Sequence, residues 1–136
     1  MFSRQVLAGL LLVSVSACVS APFGALTASS PEEAKVAAVK QRAVARWEAL
    51  IKRDLDAAYE YYSAASRRAI PKSQAGASLR IVTFRSVVVE KASCEAETCK
   101  VELVVTYDHK VMPGVPARIT ETWVIENGQA WFVHPI

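Results

Sequence analysis

The chain has 136 residues, 52% of them hydrophobic and 21% charged, with 16 Lys and Arg against 13 Asp and Glu for a formal net charge of +3. That length supplies one domain with a real core and leaves too little chain for a second. Basic residues are scattered among acidic ones, with Arg67-Arg68 the densest pair, so the basic stripe that nucleic-acid binding needs is absent and nucleic acid is set aside as a partner.

Residues 1–17 read as a signal peptide. Arg4 gives a weakly positive start, residues 6–15 are apolar, and Ser16 and Ala17 are small residues before Cys18. A spanning helix fails on length, because a bilayer needs about 20 mainly apolar residues and this run breaks into serines well short of that. The tetrad Val15-Ser16-Ala17-Cys18 resembles the lipobox of bacterial lipoproteins, whose cysteine sulfur carries a diacylglycerol before cleavage. The resemblance implies a lipid-modified Cys18 and a mature protein held on a membrane of the bacterial envelope, facing the periplasm. Val19 in place of an aspartate is similar to lipoproteins sent to the outer membrane. Two or more acyl chains, at about 0.8 kcal/mol per buried methylene, anchor far more firmly than one. Ordinary cleavage at the same bond, which would leave Cys18 a free N-terminal thiol, is the alternative.

Residues 18–30, the lipidated Cys and "VSAPFGALTASS", lack any sustained period and predict a flexible tether ahead of a domain over residues 31–136. "SSPEE" predicts a helix start, with Ser30 as cap, Pro31 in the first turn and Glu33 completing a capping box. From residue 31 to about 53, Val36, Val39, Ala43, Trp47, Leu50 and Ile51 recur at helical spacing, while Lys35, Lys40, Arg46, Glu48 and Lys52 fall mostly elsewhere. Asp54 predicts the cap of a second short helix in which Leu55, Ala58, Tyr59 and Tyr62 share a face. A third starts near Ser63 and is closed by Pro71, with a loop over residues 71–78.

Beyond the loop the period changes. Residues 79–93, 100–112, 117–126 and 129–134 are rich in Val, Ile, Thr and aromatics and predict an antiparallel β-meander. In the first hairpin Cys94 faces Cys99, Lys91 pairs with Glu102 and Arg85 with Asp108; the other face brings Ala92 to Val101, Val88 to Val105 and Phe84 near His109, and Glu90 faces Leu103. In the second, Asn127-Gly128 suits a type I′ turn that pairs Glu126 with Gln129, Ile125 with Ala130 and Trp123 with Phe132, and sets Glu121 opposite His134. Export to an oxidising compartment, with Cys18 taken by lipid, leaves Cys94 and Cys99 to pair with each other. A metal site or a redox pair is the rival, but zinc wants about four ligands, and the chain's histidines, His109 and His134, are not local to that hairpin. No metal or cofactor is expected.

The segment "RAVARWEALIKRDLDAAYEYYSAASR", followed by a meander that ends in "TETWVIENGQAWFV", resembles the NTF2-like (nuclear transport factor 2-like) group, with Trp47 to Tyr62 and the Trp123, Gly128, Trp131, Phe132 hairpin as its markers. The resemblance implies an α+β fold of the NTF2-like, cystatin-like kind: N-terminal helices packed on a curved four-stranded sheet, often around a conical cavity. It implies no one activity, since the group includes isomerases, dehydratases, transport factors and domains without known activity.

Glu121 and His134 are the acid-base candidates, because a carboxylate can orient an imidazole that titrates near working pH. Tyr107, Asp108 and His109 do not form a shared site, because alternation puts Asp108 and His109 on opposite faces. Trp47, Tyr59, Tyr62, Phe84, Trp123 and Phe132 are core residues or the lining of a cavity for a small apolar ligand. The reverse sheet face, with Val87, Val89, Val104, Val124 and Trp131, is apolar enough to predict a surface for an envelope protein or a second copy. The reading that follows is a non-enzymatic binding or scaffolding module; the alternative is an NTF2-like enzyme of the isomerase or dehydratase type.

Overall fold

The structure, a computed structural model, describes residues 24–136; Cys18, the signal peptide and the first half of the tether lie outside them. Helix α1 spans Glu32–Ile51. Its buried side, Lys35, Ala38, Val39, Ala43, Arg46, Trp47 and Leu50, repeats every three to four residues, as a helix packed on one face requires. Two positive charges thus sit on the stripe that the sequence pattern assigned to apolar residues. Lys35 reaches past the helix end to donate to the carbonyls of Ala28 at 3.0 Å and Ala96 at 2.7 Å, which stabilise its buried ammonium. The predicted capping box does not form: Pro31 is the cap residue, and the Ser30 hydroxyl accepts from the Thr27 amide at 2.9 Å instead.

Three short helices follow, α2 (Leu55–Tyr59), α3 (Ala64–Ala69) and α4 (Lys72–Ala75), then a 3-10 turn at Ser78–Ile81. Asp54 and Ser63 cap α2 and α3 as predicted, accepting from the amides of Ala57 and Ser66. Strands β1 (Thr83–Glu95), β2 (Thr98–His109), β3 (Met112–Glu126) and β4 (Gln129–Val133) form one antiparallel sheet in the order β1-β2-β3-β4. Helix α1 lies across one face of the sheet, and the core between them holds Val39, Ala43, Leu50, Val101, Leu103 and Trp123. Cys94 and Cys99 are joined across the first hairpin, in the predicted register. The second hairpin turns at Asn127 and Gly128, both with positive φ, and keeps the predicted pairs Glu126 with Gln129 and Trp123 with Phe132.

The register of β1 is corrected by two bulges. Val87, not Val88, pairs with Val105; Val89, not Glu90, pairs with Leu103; and Phe84 meets Tyr107 rather than His109. Strict alternation would have turned Glu90 into the core. The extra residue instead leaves Glu90 outside, where Arg118 of β3 binds it at 2.8 Å across β2. Upstream of the bulge the faces exchange. Val87 and Val89, predicted on the outer surface, pack against the core, whereas Val88, predicted inside, is 59% exposed. Arg85, at the other bulge, still reaches Asp108 by side chain, Nε to Oδ2 at 2.7 Å. Val104, Val124 and Trp131 remain on the outer face, with Val124 opposite Trp131, but the Glu90–Arg118 pair crosses that face and divides it.

The predicted tether is shorter than its composition implies. Leu26 is 7% exposed within the core, and its amide donates to the Gly128 carbonyl at 2.9 Å. One leucine in an otherwise small, polar stretch gains enough by burial to dock the chain there. Among the described residues no helix is long and apolar enough to cross a membrane.

Candidate functional site

Strand β4 is only five residues long and pairs with β3 from Glu126 back to Thr122. The ladder stops at Val133, after which the His134 amide donates to Ser66 Oγ at 2.9 Å, so among the described residues the first two thirds of β3 keep an uncovered edge. A cleft of about 330 Å³ opens at this point between α1, the short helices and the sheet. It is lined by Arg46 and Trp47 of α1, Glu121 of β3, Tyr62, Phe132, Ala75 and Leu79. Thr120, Thr122 and His134 are also at its surface.

Arg46 and Glu121 form an ion pair with Nη1 to Oε1 at 2.8 Å, both side chains 5% exposed. Glu121 reaches this position because it falls in the inward alternation of β3 with Trp123 and Ile125. Its other acceptor positions are filled by indoles: Trp47 Nε1 donates to Oε1 at 2.7 Å and Trp123 Nε1 to Oε2 at 2.9 Å. A carboxylate held by three donors is a fixed counter-ion rather than a mobile base. The Arg46 guanidinium lies over the Phe132 ring, 3.6 Å from its centroid, with Trp47 and Tyr62 at 5.5 and 5.7 Å. Stacking fixes its plane. Its Nε is buried and has no hydrogen-bond partner among the described residues. Leaving such a donor unsatisfied costs about 1–3 kcal/mol.

The acid-base pair foreseen from register is not made. Glu121 and His134 border the same cleft, but Glu121 is bound by Arg46 and the two indoles, while His134 Nδ1 meets the Pro135 carbonyl at 2.5 Å. His134 is held in place, since its amide donates to Ser66 Oγ at 2.9 Å and its ring lies 5.7 Å from that of Tyr62. Of the aromatic candidates, Trp47, Tyr62 and Phe132 border the cleft. Trp123 is fully buried behind it. Phe84 packs edge-on against Trp47 at 5.1 Å and faces a different cleft with Arg53, Asp54 and Arg80. Tyr59 donates its hydroxyl to the Ile70 carbonyl at 2.8 Å.

Sequence reasoning missed Arg46. The signal was present: residue 46 lies seven after Val39, three after Ala43 and four before Leu50, so helical spacing alone puts it on the buried stripe. No group of three or more His, Cys, Asp or Glu that could hold a metal occurs among the described residues.

No protein-family model and no curated protein matches the chain. Among solved structures it is similar to RPA3114, a SEC-C motif containing protein from Rhodopseudomonas palustris solved in solution. That likeness has a TM-score of 0.63 and 16% identity, over 74% of this chain and 78% of that one. A crystal structure from Kribbella flavida DSM 17836, described as a "known function protein", gives a TM-score of 0.40 and 19% identity over 68% of this chain and 81% of its own. The first likeness establishes a shared α+β fold, helices followed by a four-stranded antiparallel sheet, and the fold alone.

Proposed function

We propose that the protein is a lipoprotein of the bacterial cell envelope, anchored through Cys18 on the periplasmic side of the outer membrane, whose NTF2-like domain binds a small molecule without transforming it. Support for the anchor is the Val15-Ser16-Ala17-Cys18 tetrad after an apolar run. The observation that carries the binding reading is an open cleft of about 330 Å³ bordered by Trp47, Tyr62 and Phe132, with the buried Arg46–Glu121 pair in its lining. In cells fractionated without detergent, the parent is expected in the membrane pellet and Cys18→Ser in the soluble fraction. A Cys18→Ser protein that stays with the membrane overturns the anchor.

An enzyme of the isomerase or dehydratase type is the second reading, favoured by His134 bordering the same cleft as Glu121. It requires Glu121 to exchange a proton while holding three donors, which is why binding is preferred.

A further inference from the structure

A second cleft, of about 360 Å³, opens between α1 and the β3–β4 hairpin and shares no lining residue with the Arg46 cleft. We propose that it binds a small organic carboxylate, whose single negative charge is held on the terminal nitrogens of Arg42. Ala38, Arg42 and Ala45 are spaced by four and three residues and so share one strip of α1, where the two alanines leave room that longer side chains would fill.

Arg42 is fixed against both walls. Its Nε donates to the Ala130 carbonyl at 2.5 Å, and its guanidinium carbon lies over the rings of Tyr61 and Trp131, 4.8 Å from each centroid. Stacking and one hydrogen bond set the plane of the group. Nη1 and Nη2 make no hydrogen bond among the described residues and, unlike Arg46 Nε, neither is cut off from solvent. A ligand can therefore reach both.

Arg46 has Glu121; Arg42 has no such partner. No Asp or Glu lines the cleft, and Arg42 enters none of the ion pairs among the described residues. The side chain is nonetheless half-buried, and that burial holds the guanidinium below its ordinary pKa, with the Tyr61 phenol acting in the other direction. One uncompensated positive charge sets the charge of the ligand. A carboxylate neutralises it and takes two parallel N–H···O bonds from the fork. A phosphate monoester carries about −1.5 to −2 at neutral pH and would leave excess negative charge against polar neighbours, Gln41 and Gln129, that offer amides alone. A neutral amide would leave the cation unmatched. The cleft's 360 Å³ is the space of about twelve waters, enough for a single-ring acid.

The test is a titration of the full chain in lipid nanodiscs with benzoate, benzamide and phenyl phosphate, which share one ring and differ in charge. Backbone amide resonances are followed, and probe concentrations are corrected for uptake by empty nanodiscs. Benzoate is expected to bind at least about tenfold more tightly than either other probe. It is expected to move the amides of Gly128 and Gln129 rather than those of Thr120 and Val133 at the Arg46 cleft. Arg42→Met, which keeps the apolar stem and removes the charge, is expected to abolish the preference. Ala45→Leu, which narrows the cleft and keeps Arg42, is expected to weaken benzoate by about tenfold. Benzamide or phenyl phosphate binding as tightly as benzoate overturns the carboxylate. Benzoate that binds folded Arg42→Met or folded Ala45→Leu as tightly as the parent, or that moves the Arg46 cleft alone, overturns the site. Failure of benzoate to bind overturns the proposal and leaves the reading of the Arg46 cleft standing.

Discussion

Arg46 and Glu121 hold opposite charges 2.8 Å apart inside the protein, each side chain 5% exposed. Helical spacing puts residue 46 among Val39, Ala43 and Leu50, and strand alternation puts residue 121 with Trp123 and Ile125. A charge is nonetheless read as a surface residue until its partner, 75 residues away in sequence, is known to sit opposite. The energetics of such a pair are asymmetric. Arg46→Met leaves Glu121 buried with only its two indole donors and is expected to lose about 3–5 kcal/mol of unfolding free energy, whereas Arg46→Met/Glu121→Met recovers most of that loss. Urea denaturation checks both, and a double variant no more stable than the single one would show that the charges are not coupled. The Arg85–Asp108 pair at the sheet's far end behaves differently because it is more open to water. A hydrogen bond from Arg85, and a second from the Gly114 amide, hold the Asp108 carboxyl below its ordinary value. A depressed carboxylate contributes stability above its unfolded value, near 3.9, and loses it as pH falls through the lower folded value. Asp108→Asn is therefore expected to melt below the parent at pH 7 and to converge with it only at pH values under about 4. A difference in Tm that persists into strong acid would remove Asp108 titration as its cause.

Helix α1 and the second hairpin were read close to their observed limits, because a 3.6-residue period and the turn pair Asn127-Gly128 are local signals; α4 (Lys72–Ala75) instead forms inside the stretch read as a loop, and β3 starts at Met112, five residues before its expected start. β1 was not, and the reason is a single residue. Glu90 interrupts an alternation that is otherwise apolar, and the sheet accommodates it by a bulge that inverts the faces of every residue before it as far as the next bulge. Nothing local distinguishes that outcome from a glutamate turned inward, since the deciding contact is with Arg118 two strands away. The consequence is measurable in neighbouring valines. Val88→Lys, at an exposed site, is expected to change stability by less than about 0.5 kcal/mol. Val89→Lys, on the face packed against the core, is expected to cost about 2 kcal/mol or more. The reverse order in thermal melts would mean that β1 keeps regular alternation in solution. The same bulge bears on any partner of the outer sheet face: Val104, Val124 and Trp131 are left to offer it, without Val87 and Val89.

Leu26, docked beside Gly128, and Lys35, bound to the Ala96 carbonyl, place both hairpin turns and the start of α1 at one end of the protein. The turn after His109 lies at the other, at the far end of a 15-residue β3 that spans about 50 Å. With lipid on Cys18, as proposed, only residues 19–25 separate the membrane from the docked Leu26, a leash of at most about 25 Å at full extension. The whole stretch to the start of α1, read from composition as tether, would reach about 45 Å. Burial of one leucine thus sets how far the cleft stands from the lipid surface, and Leu26→Ser should release the segment. Neutron reflectometry on supported bilayers can read this directly. The parent is expected as a layer with its domain within about 25 Å of the lipid, and Leu26→Ser as a layer whose outer edge moves away by up to about 20 Å, with a domain destabilised by about 2 kcal/mol. Both proteins must be compared well below the lower Tm, so that the added thickness reports the leash and not unfolding. Identical profiles from folded proteins would mean that the docked leucine does not shorten the leash on the membrane.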